Sequence, residues 1–160
     1  MTDQDLLAIY LNDHLAAATA GVELVRRAAS SHDGERGAEL TRLADEIAED
    51  RESLRDLMKR LDVAESTVKK AAGWAGEKVG RLKPNDHLVS RSPLSDVLEL
   101  EALRAGTAAR IAGFQVLRAV AVDDSRITKE ELETLIQRAD DQAERLYKLH
   151  IQLAQENLAG

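Results

Sequence analysis

Several residue types that would support particular chemistries are scarce or absent from this chain. Its 160 residues include no cysteine, which excludes disulfides, thiolate metal sites and cysteine nucleophiles. Aromatic residues make up only 2%, and the signals of β-strands are nearly missing. No apolar run reaches the roughly 18 residues that a membrane-spanning helix needs. We therefore expect an all-α protein that does not insert into membranes.

Catalytic sequence motifs are missing as well. The chain has no glycine-rich phosphate loop, no strand-turn-helix nucleophile elbow and no His-Glu-x-x-His. These absences favour a protein that is not an enzyme.

The net charge of the chain limits the kinds of molecule that it can bind. Asp and Glu number 29 against 22 Lys and Arg, which gives a net charge of −7. An acidic surface repels phosphate, so we expect no nucleic-acid partner. The chain opens Met1-Thr2-Asp3 with neither a basic nor an apolar leader, and we expect a cytoplasmic protein. A chain of this length suits one domain, spanning 1–160, that buries a single core.

Four long amphipathic segments are present. Turn residues follow Ser30, Ser92-Pro93 supplies an N-cap and a proline at the first helical position, and Thr128 begins a capping box with Glu131. Equal lengths joined by short turns are typical of antiparallel hairpins, here the first helix with the second and the third with the fourth. The predicted helices span about 3–30, 35–61, 93–122 and 128–160.

The connection between the second and third helices, about 62–92, is too long for a simple loop. Its apolar spacing predicts a short extra helix with Trp74 as anchor. Residues 66–83 within it carry a local net charge of +4 in this acidic chain. One interpretation is a crossover that covers a side of the bundle; another is a mobile lid or an amphipathic patch for an anionic partner.

The third helix is apolar almost all round. We predict that its inward side is the stripe of Leu94, Val97, Leu98, Ala105, Ala108, Ala112, Val116 and Ala119. Leu103, Phe114 and Leu117 then fall on the opposite side, which also requires burial. Either the crossover helix covers that side, or a second copy does so in a homodimer through the third helix.

The other three helices each have one predicted apolar stripe. Their residues are Leu7, Leu11, Ala18, Val22 and Val25 in the first helix; Leu40, Leu43, Ala44, Ile47, Leu54, Met58 and Leu61 in the second; and Leu132, Leu135, Ile136, Ala139, Ala143, Leu146 and Leu153 in the fourth.

Each of the four stripes contains one polar residue near its centre: His14, Arg51, Glu101 and His150. The first interpretation is a buried polar cluster that fixes helix register, with Glu101 bonded to His150 and facing Arg51. The second is a small metal site of His14, Glu101 and His150, whose atoms suit Zn²⁺ or Fe²⁺. The third is a different helical phase, with Arg51 extending outward.

In its helix pattern the whole chain resembles the ferritin-like superfamily, and within it the small bacterial bundles of the YciF-like kind. The segments that carry the resemblance are Leu11–His14, Ile47–Glu52, Glu99–Thr107 and Ala139–Glu144. The resemblance implies a ferritin-like four-helix bundle with a short extra helix in the crossover.

In that family, a Glu from each of two helices and a Glu-x-x-His from each of the others bind two metals. Here the matching positions are Ala18, Ala48 and Arg51, and of the family's ligands only Glu101 points inward. We therefore expect no metal cofactor and a structural or interaction protein without a working di-metal centre. The alternative is an iron- or manganese-binding oxidase or storage protein with Glu101 and His150 as the minimal ligand pair. Helical rotation could then recruit Glu49, Asp50, Asp140 or Glu144. Of these, Glu49, Asp140 and Glu144 are otherwise expected to lie on the solvated surface.

Overall fold

The computed structural model describes residues 3–66 and 91–159. Within these ranges the protein consists of four α-helices and contains no strand. They are α1 (Asp3–Ser30), α2 (Gly34–Arg60), α3 (Pro93–Val120) and α4 (Lys129–Leu158). The all-α prediction and the four predicted helices are confirmed. The short crossover helix predicted around Trp74 lies outside the described residues.

Two helix starts follow from local hydrogen bonds. Ser92 Oγ accepts from the backbone N–H of Leu94 over 3.3 Å, with Pro93 at the first helical position. Thr128 Oγ1 accepts from the backbone N–H of Glu131 over 3.2 Å. Each bond satisfies one of the donors that a helix start leaves free. None of the helices in the described ranges combines the length and apolarity that crossing a bilayer requires.

The turn between α1 and α2 depends on two glycines. Gly34 has φ +63°, a left-handed conformation that costs glycine little. A Cβ on Gly37 would lie 2.1 Å from the backbone oxygen of His32. Glycine at this position therefore lets the start of α2 pack against the end of the turn.

Contacts at the helix ends give the direction of each helix. Gln4 at the start of α1 donates to the Leu61 oxygen at the end of α2 over 3.1 Å. At the other end of the bundle, Arg27 of α1 pairs with Glu99 of α3 over 2.7 Å. Thus α2 and α3 run in the same direction, so that α2 ends at one end of the bundle and α3 begins at the other.

The helices are unequally spaced. α1 packs on α2 and α3 packs on α4 along their lengths, and α1 also contacts α3. The backbones of α2 and α4 approach each other at few points. Long side chains bridge that wider gap, as when Arg145 Nε donates to Glu39 Oε1 over 2.6 Å.

The core has two apolar clusters, one toward each end of the bundle. One contains Leu11, Leu57 and Phe114, and the other contains Val22, Leu43 and Leu146. Three of the buried polar residues lie at the level between them, near the middle of α2, α3 and α4: Asp50, Thr107 and Gln142.

The inward side of α3 differs from the prediction. Leu100, Leu103, Phe114 and Leu117 are buried. Of the predicted inward residues, Val97 is buried and Leu98 is half-buried. The others are exposed: Leu94, Ala105, Ala108, Ala112, Val116 and Ala119. Both stripes have helical spacing, so periodicity does not distinguish them. The Leu and Phe stripe lies inward because its larger side chains remove more apolar surface from water.

Candidate functional site

The predicted polar quartet does not converge. Glu101 is exposed on α3, because the side of α3 predicted to face inward faces out. Arg51 is mostly buried along its stem, and its Nε donates to Glu52 Oε1 over 3.0 Å. Within the described residues, no hydrogen bond or ion pair joins any two of His14, Arg51, Glu101 and His150. A buried Glu101 facing Arg51 is therefore wrong.

His150 is buried beside a cation. Its Nδ1 lies 2.9 Å from Arg104 Nη1, and the Arg104 guanidinium also stands over the Tyr147 ring at 4.9 Å. Burial lowers the pKa of His150, Arg104 lowers it further, and the charge of Glu101 opposes them. The predicted pair thus interacts only through charge. A cation bound at His150 would meet Arg104.

His14 lies in a different environment. Its ring makes an edge contact with Tyr10, with centroids 4.6 Å apart, and packs over Gly113, where a Cβ would lie 2.8 Å from the imidazole. Burial lowers the pKa of His14 against the opposing charge of Asp13. Neither ring nitrogen forms a hydrogen bond to the described part of the chain.

The group that does meet at the bundle centre is built around Asp50, whose side chain is completely buried. Arg138 of α4 donates from Nε to Asp50 Oδ1 over 2.6 Å, and its Nη2 also pairs with that carboxylate. Arg110 of α3 places its Nε 3.5 Å from Asp50 Oδ2. Arg110 Nη2 donates to Gln142 Oε1 over 2.5 Å. These four residues from three helices form what we name the central ion network.

Three buried atoms of this network have no hydrogen-bond partner of good geometry in the described part of the chain: Asp50 Oδ2, Arg110 Nε and Gln142 Nε2. The separation of 3.5 Å between Asp50 Oδ2 and Arg110 Nε brings opposite charges together without hydrogen-bond geometry. A buried polar atom without a hydrogen bond makes the folded state less stable, so a further hydrogen-bond partner would stabilise each of them.

Burial disfavours the ionised forms of both Asp50 and Arg110. It raises the pKa of Asp50, against the opposing effects of Arg110 and Arg138. It lowers the pKa of Arg110, which Asp50 partly offsets. The network therefore depends on mutual neutralisation, because neither charge would be stable there alone.

The sequence contains a signal for these residues. Asp50 is three residues after buried Ile47 and four before buried Leu54, and Gln142 stands in the same relation to Ala139 and Leu146. Arg110 follows the buried Thr107 by three and precedes the buried Phe114 by four. This spacing marks the inward side of a helix. The predicted quartet contains Arg51 as the inward polar residue of α2, whereas the buried one is its neighbour Asp50.

A second buried carboxylate lies at one end of the bundle. Glu99 is 3% exposed, yet it pairs with Arg27 of α1 and with Arg91, which precedes α3. Arg91 also pairs with Asp96, which lies 3.8 Å from His32. These contacts join the start of α3 to the α1–α2 turn. Both carboxylates, Glu99 and Asp96, have an arginine partner.

A cavity of about 350 Å³ opens between α1 and α3 next to the central ion network. Its walls are almost entirely apolar, and many are alanine or glycine. The polar residues that reach it are His14, Asp50, Thr107 and Arg110. No Cβ would meet another atom within 4 Å at Gly21 or Gly106, both of which line the cavity. The cavity is therefore a largely apolar space beside the central ion network.

In residues 3–66 and 91–159, no three His, Asp or Glu side chains are grouped so that they could hold a metal ion. At the bundle centre two guanidinium groups engage the one buried carboxylate. Comparison with protein-family models, curated proteins and solved structures finds no match.

Proposed function

We propose that this protein is a ferritin-like bundle without a working di-metal centre that acts as a structural or interaction protein. The connectivity supports the ferritin-like part of the proposal. Two antiparallel hairpins joined by one end-to-end connection are the arrangement of ferritin-like bundles.

The central ion network supports the second part of the proposal, a protein without a working di-metal centre. Ferritin-like metal centres place several carboxylates and histidines around cations in the bundle core. Here the corresponding level holds Asp50 together with Arg110 and Arg138, so protein side chains supply the positive charges. A divalent cation would have to displace one guanidinium and lie close to the other, which Coulomb repulsion disfavours.

Metal analysis of the untagged full chain tests the proposal. Protein expressed with added iron, manganese and zinc is analysed by mass spectrometry, and thermal unfolding is followed with each metal at stoichiometric concentration. We expect background metal and an unchanged unfolding temperature, because a ligand raises that temperature only if it binds the folded state.

Two variants sharpen this test. Glu101→Gln and His150→Gln remove the minimal ligand pair of the metal alternative. One or two metals per chain, lost in either variant, would overturn the proposal in favour of an iron or manganese protein. Equal background metal in all three proteins supports it.

We further propose that α3 is the surface for self-association as a homodimer. Its exposed stripe of alanines with Val116 is unusual, because surface helix faces are mostly polar. Light scattering after size-exclusion chromatography should give a dimer that Ala112→Glu converts to a monomer. A monomeric wild-type chain at micromolar concentration would remove this proposal.

A further inference from the structure

Two glycines face each other across the cavity between α1 and α3 and leave it open. The two helices run antiparallel, and His14 of α1 packs on Gly113 of α3. About two turns further along, the same register places Gly21 opposite Gly106. A Cβ on either glycine would meet nothing within 4 Å. The cavity volume of about 350 Å³ and its apolar walls are typical of small-molecule sites, which measure about 300–1,000 Å³.

The guanidinium group of Arg110 lies at the wall of this cavity, about one turn from Gly106. Its Nη2 donates to Gln142, and its Nε is fully buried beside Asp50. Its Nη1 differs from both. Nη1 forms no hydrogen bond to the described part of the chain, and it is not one of the fully buried atoms. Arg110 therefore keeps one N–H group for a molecule in the cavity, without exposure of the buried atoms behind it.

The central ion network holds more positive than negative charge. Inside the bundle, Asp50 alone opposes Arg110 and Arg138. Glu49 also reaches Arg138, over 3.3 Å, but its side chain is 69% exposed and water screens much of its charge. Burial lowers the pKa of Arg110, Asp50 opposes this effect, and Arg138 adds to it. One further negative charge would therefore stabilise the ionised form of Arg110.

These charges select the head group of a ligand. An ammonium group would be repelled by the two arginines. A hydroxyl group could accept from Arg110 but would bring no charge. A carboxylate both accepts from Arg110 and supplies the negative charge, and such charge-assisted hydrogen bonds are about twice as strong as neutral ones. Repulsion from Asp50 is reduced, because Arg110 and Arg138 already pair with it.

We propose that this cavity binds a monocarboxylate with an apolar chain, its carboxylate on Arg110 Nη1 and its chain in the open space between Gly21 and Gly106. Ala105 lines the cavity and also belongs to the exposed stripe of α3, so the cavity opens beside the surface proposed for self-association. The ligand site lies within one chain and does not depend on that self-association.

Four probes test the head group and the chain on the full-length protein: octanoate, 1-octanol, octylammonium and acetate. Titration calorimetry should show one octanoate per chain, bound about tenfold more tightly than 1-octanol, the ratio that a charge-assisted hydrogen bond supplies. Octylammonium has the wrong charge and acetate lacks the apolar chain, so neither should give measurable heat at the same concentrations. The proposal fails if octanoate does not bind, or if 1-octanol or acetate binds equally well.

Variants on both walls test the location. Gly21→Leu and Gly106→Leu each place a side chain in the open space, and each improves helix propensity, so the fold is expected to persist. Both should abolish octanoate binding. Ala38→Leu is the matched control, because Ala38 is exposed on α2 and does not line the cavity. Unchanged octanoate binding in either glycine variant would refute the assignment.

A charge variant tests the role of Arg110. Arg110→Gln removes the positive charge next to the carboxylate, so the preference for octanoate over 1-octanol should fall about tenfold. Arg118→Gln is the control, because Arg118 is 39% exposed and does not line the cavity. A preference that Arg110→Gln leaves unchanged would show that the carboxylate binds elsewhere. If this variant does not fold, the two glycine variants decide.

Ala112→Glu separates the ligand site from self-association. Ala112 lies on the exposed stripe of α3 and does not line the cavity. The variant should therefore still bind octanoate, whether or not the wild-type chain is a dimer. Loss of octanoate binding together with dissociation of a dimer would show that a second copy completes the site, and the assignment to one chain would be wrong. A monomeric wild-type chain that binds octanoate would remove the homodimer and support the ligand site.

Discussion

Arg138 of α4 donates from Nε to Oδ1 of Asp50 of α2 over 2.6 Å, between two helices whose backbones approach each other at few points. A long side chain thus spans a gap that apolar packing does not close. Arg110 reaches the same carboxylate from α3. Asp50 therefore ties three helices together at the middle of the bundle.

Replacing Asp50 should destabilise the protein strongly. Asp50→Ala leaves the buried guanidinium of Arg110 without a counter-charge, and we expect the free energy of unfolding to fall by about 3–5 kcal/mol. Chemical denaturation followed by circular dichroism measures the change.

Glu52→Ala is the control for this variant. Glu52 pairs with Arg51 and Arg55 on the surface of the same helix and is 55% exposed. Such exposed pairs contribute about 0–1 kcal/mol. If Asp50→Ala and Glu52→Ala lose similar stability, the central ion network contributes no more to stability than an exposed ion pair does.

Acid should destabilise the protein as histidines become protonated. Burial lowers the pKa of His14, His32 and His150 in the folded state, from an ordinary value of 6.5. Around His32 the charges of Asp96 and Glu99 oppose this, while Arg36 and Arg91 reinforce it. The unfolded chain then binds more protons between the lowered values and 6.5, so the free energy of unfolding decreases as pH falls through that range.

The histidine contribution can be separated from that of carboxyl groups. Asp50 acts with the opposite sign, because its raised pKa makes the folded state less stable as pH rises above 3.8. The measurement is therefore the difference between wild type and a variant with Gln at positions 14, 32 and 150, at about pH 7.5 and about pH 5.5. The variant should lose less stability than wild type on acidification. Equal losses would contradict the predicted role of the histidines.

The two glycines Gly37 and Gly106 should respond oppositely to alanine. At Gly37 the added Cβ would lie 2.1 Å from the His32 oxygen, so the backbone of the turn must shift and the protein should lose stability. At Gly106 the Cβ meets nothing within 4 Å, and alanine should add about 1 kcal/mol through helix propensity. Thermal unfolding of both variants measures the contrast, and a stabilising Gly37→Ala would disprove the close approach at the turn.

Arg145 should contribute a salt-dependent part of the stability. It pairs with Glu39 and Glu46 of α2 and with Asp141 of its own helix, at 2.6–3.0 Å. Because these groups are partly exposed, we expect Arg145→Gln to cost about 1 kcal/mol in low salt and less in about 1 M salt, where the Debye length falls to about 3 Å. Lys148→Gln is the control, since within the described ranges Lys148 pairs only with Glu144 of its own helix. A loss that is unchanged by salt would mean that Arg145 acts through packing.

Three of the helix stripes could be predicted from the sequence because apolar residues occur on one side only. The predicted stripe of α1 is buried except at the half-buried Leu7, and that of α2 is buried throughout, from Leu40 to Leu61. The stripe of α4 is buried except at the half-buried Ala143. Helix starts at Pro93 and Lys129 were predictable for a different reason, since Ser92 and Thr128 cap them locally.

The third helix shows what periodicity leaves open. Two apolar stripes with the same spacing run along α3, and the choice between them depends on the volume that the other helices leave to be filled. The prediction that the alanine stripe of α3 faces inward put Glu101 inside the bundle and left Arg110 out of the predicted site. Pairings between helices such as Asp50 with Arg138 depend on relative rotation and spacing, which one helix's pattern does not contain.

The end-to-end connection between α2 and α3 bears on how the chain folds. Each hairpin is built from contacts between residues near in sequence, which form quickly, whereas α1 meets α3 only after a long segment has been closed into a loop. We expect the two hairpins to form rapidly and to dock on each other more slowly. Asp50 would then meet Arg110 and Arg138 in the docking step. If docking follows the transition state, changes at Asp50 speed unfolding and leave the folding rate nearly constant.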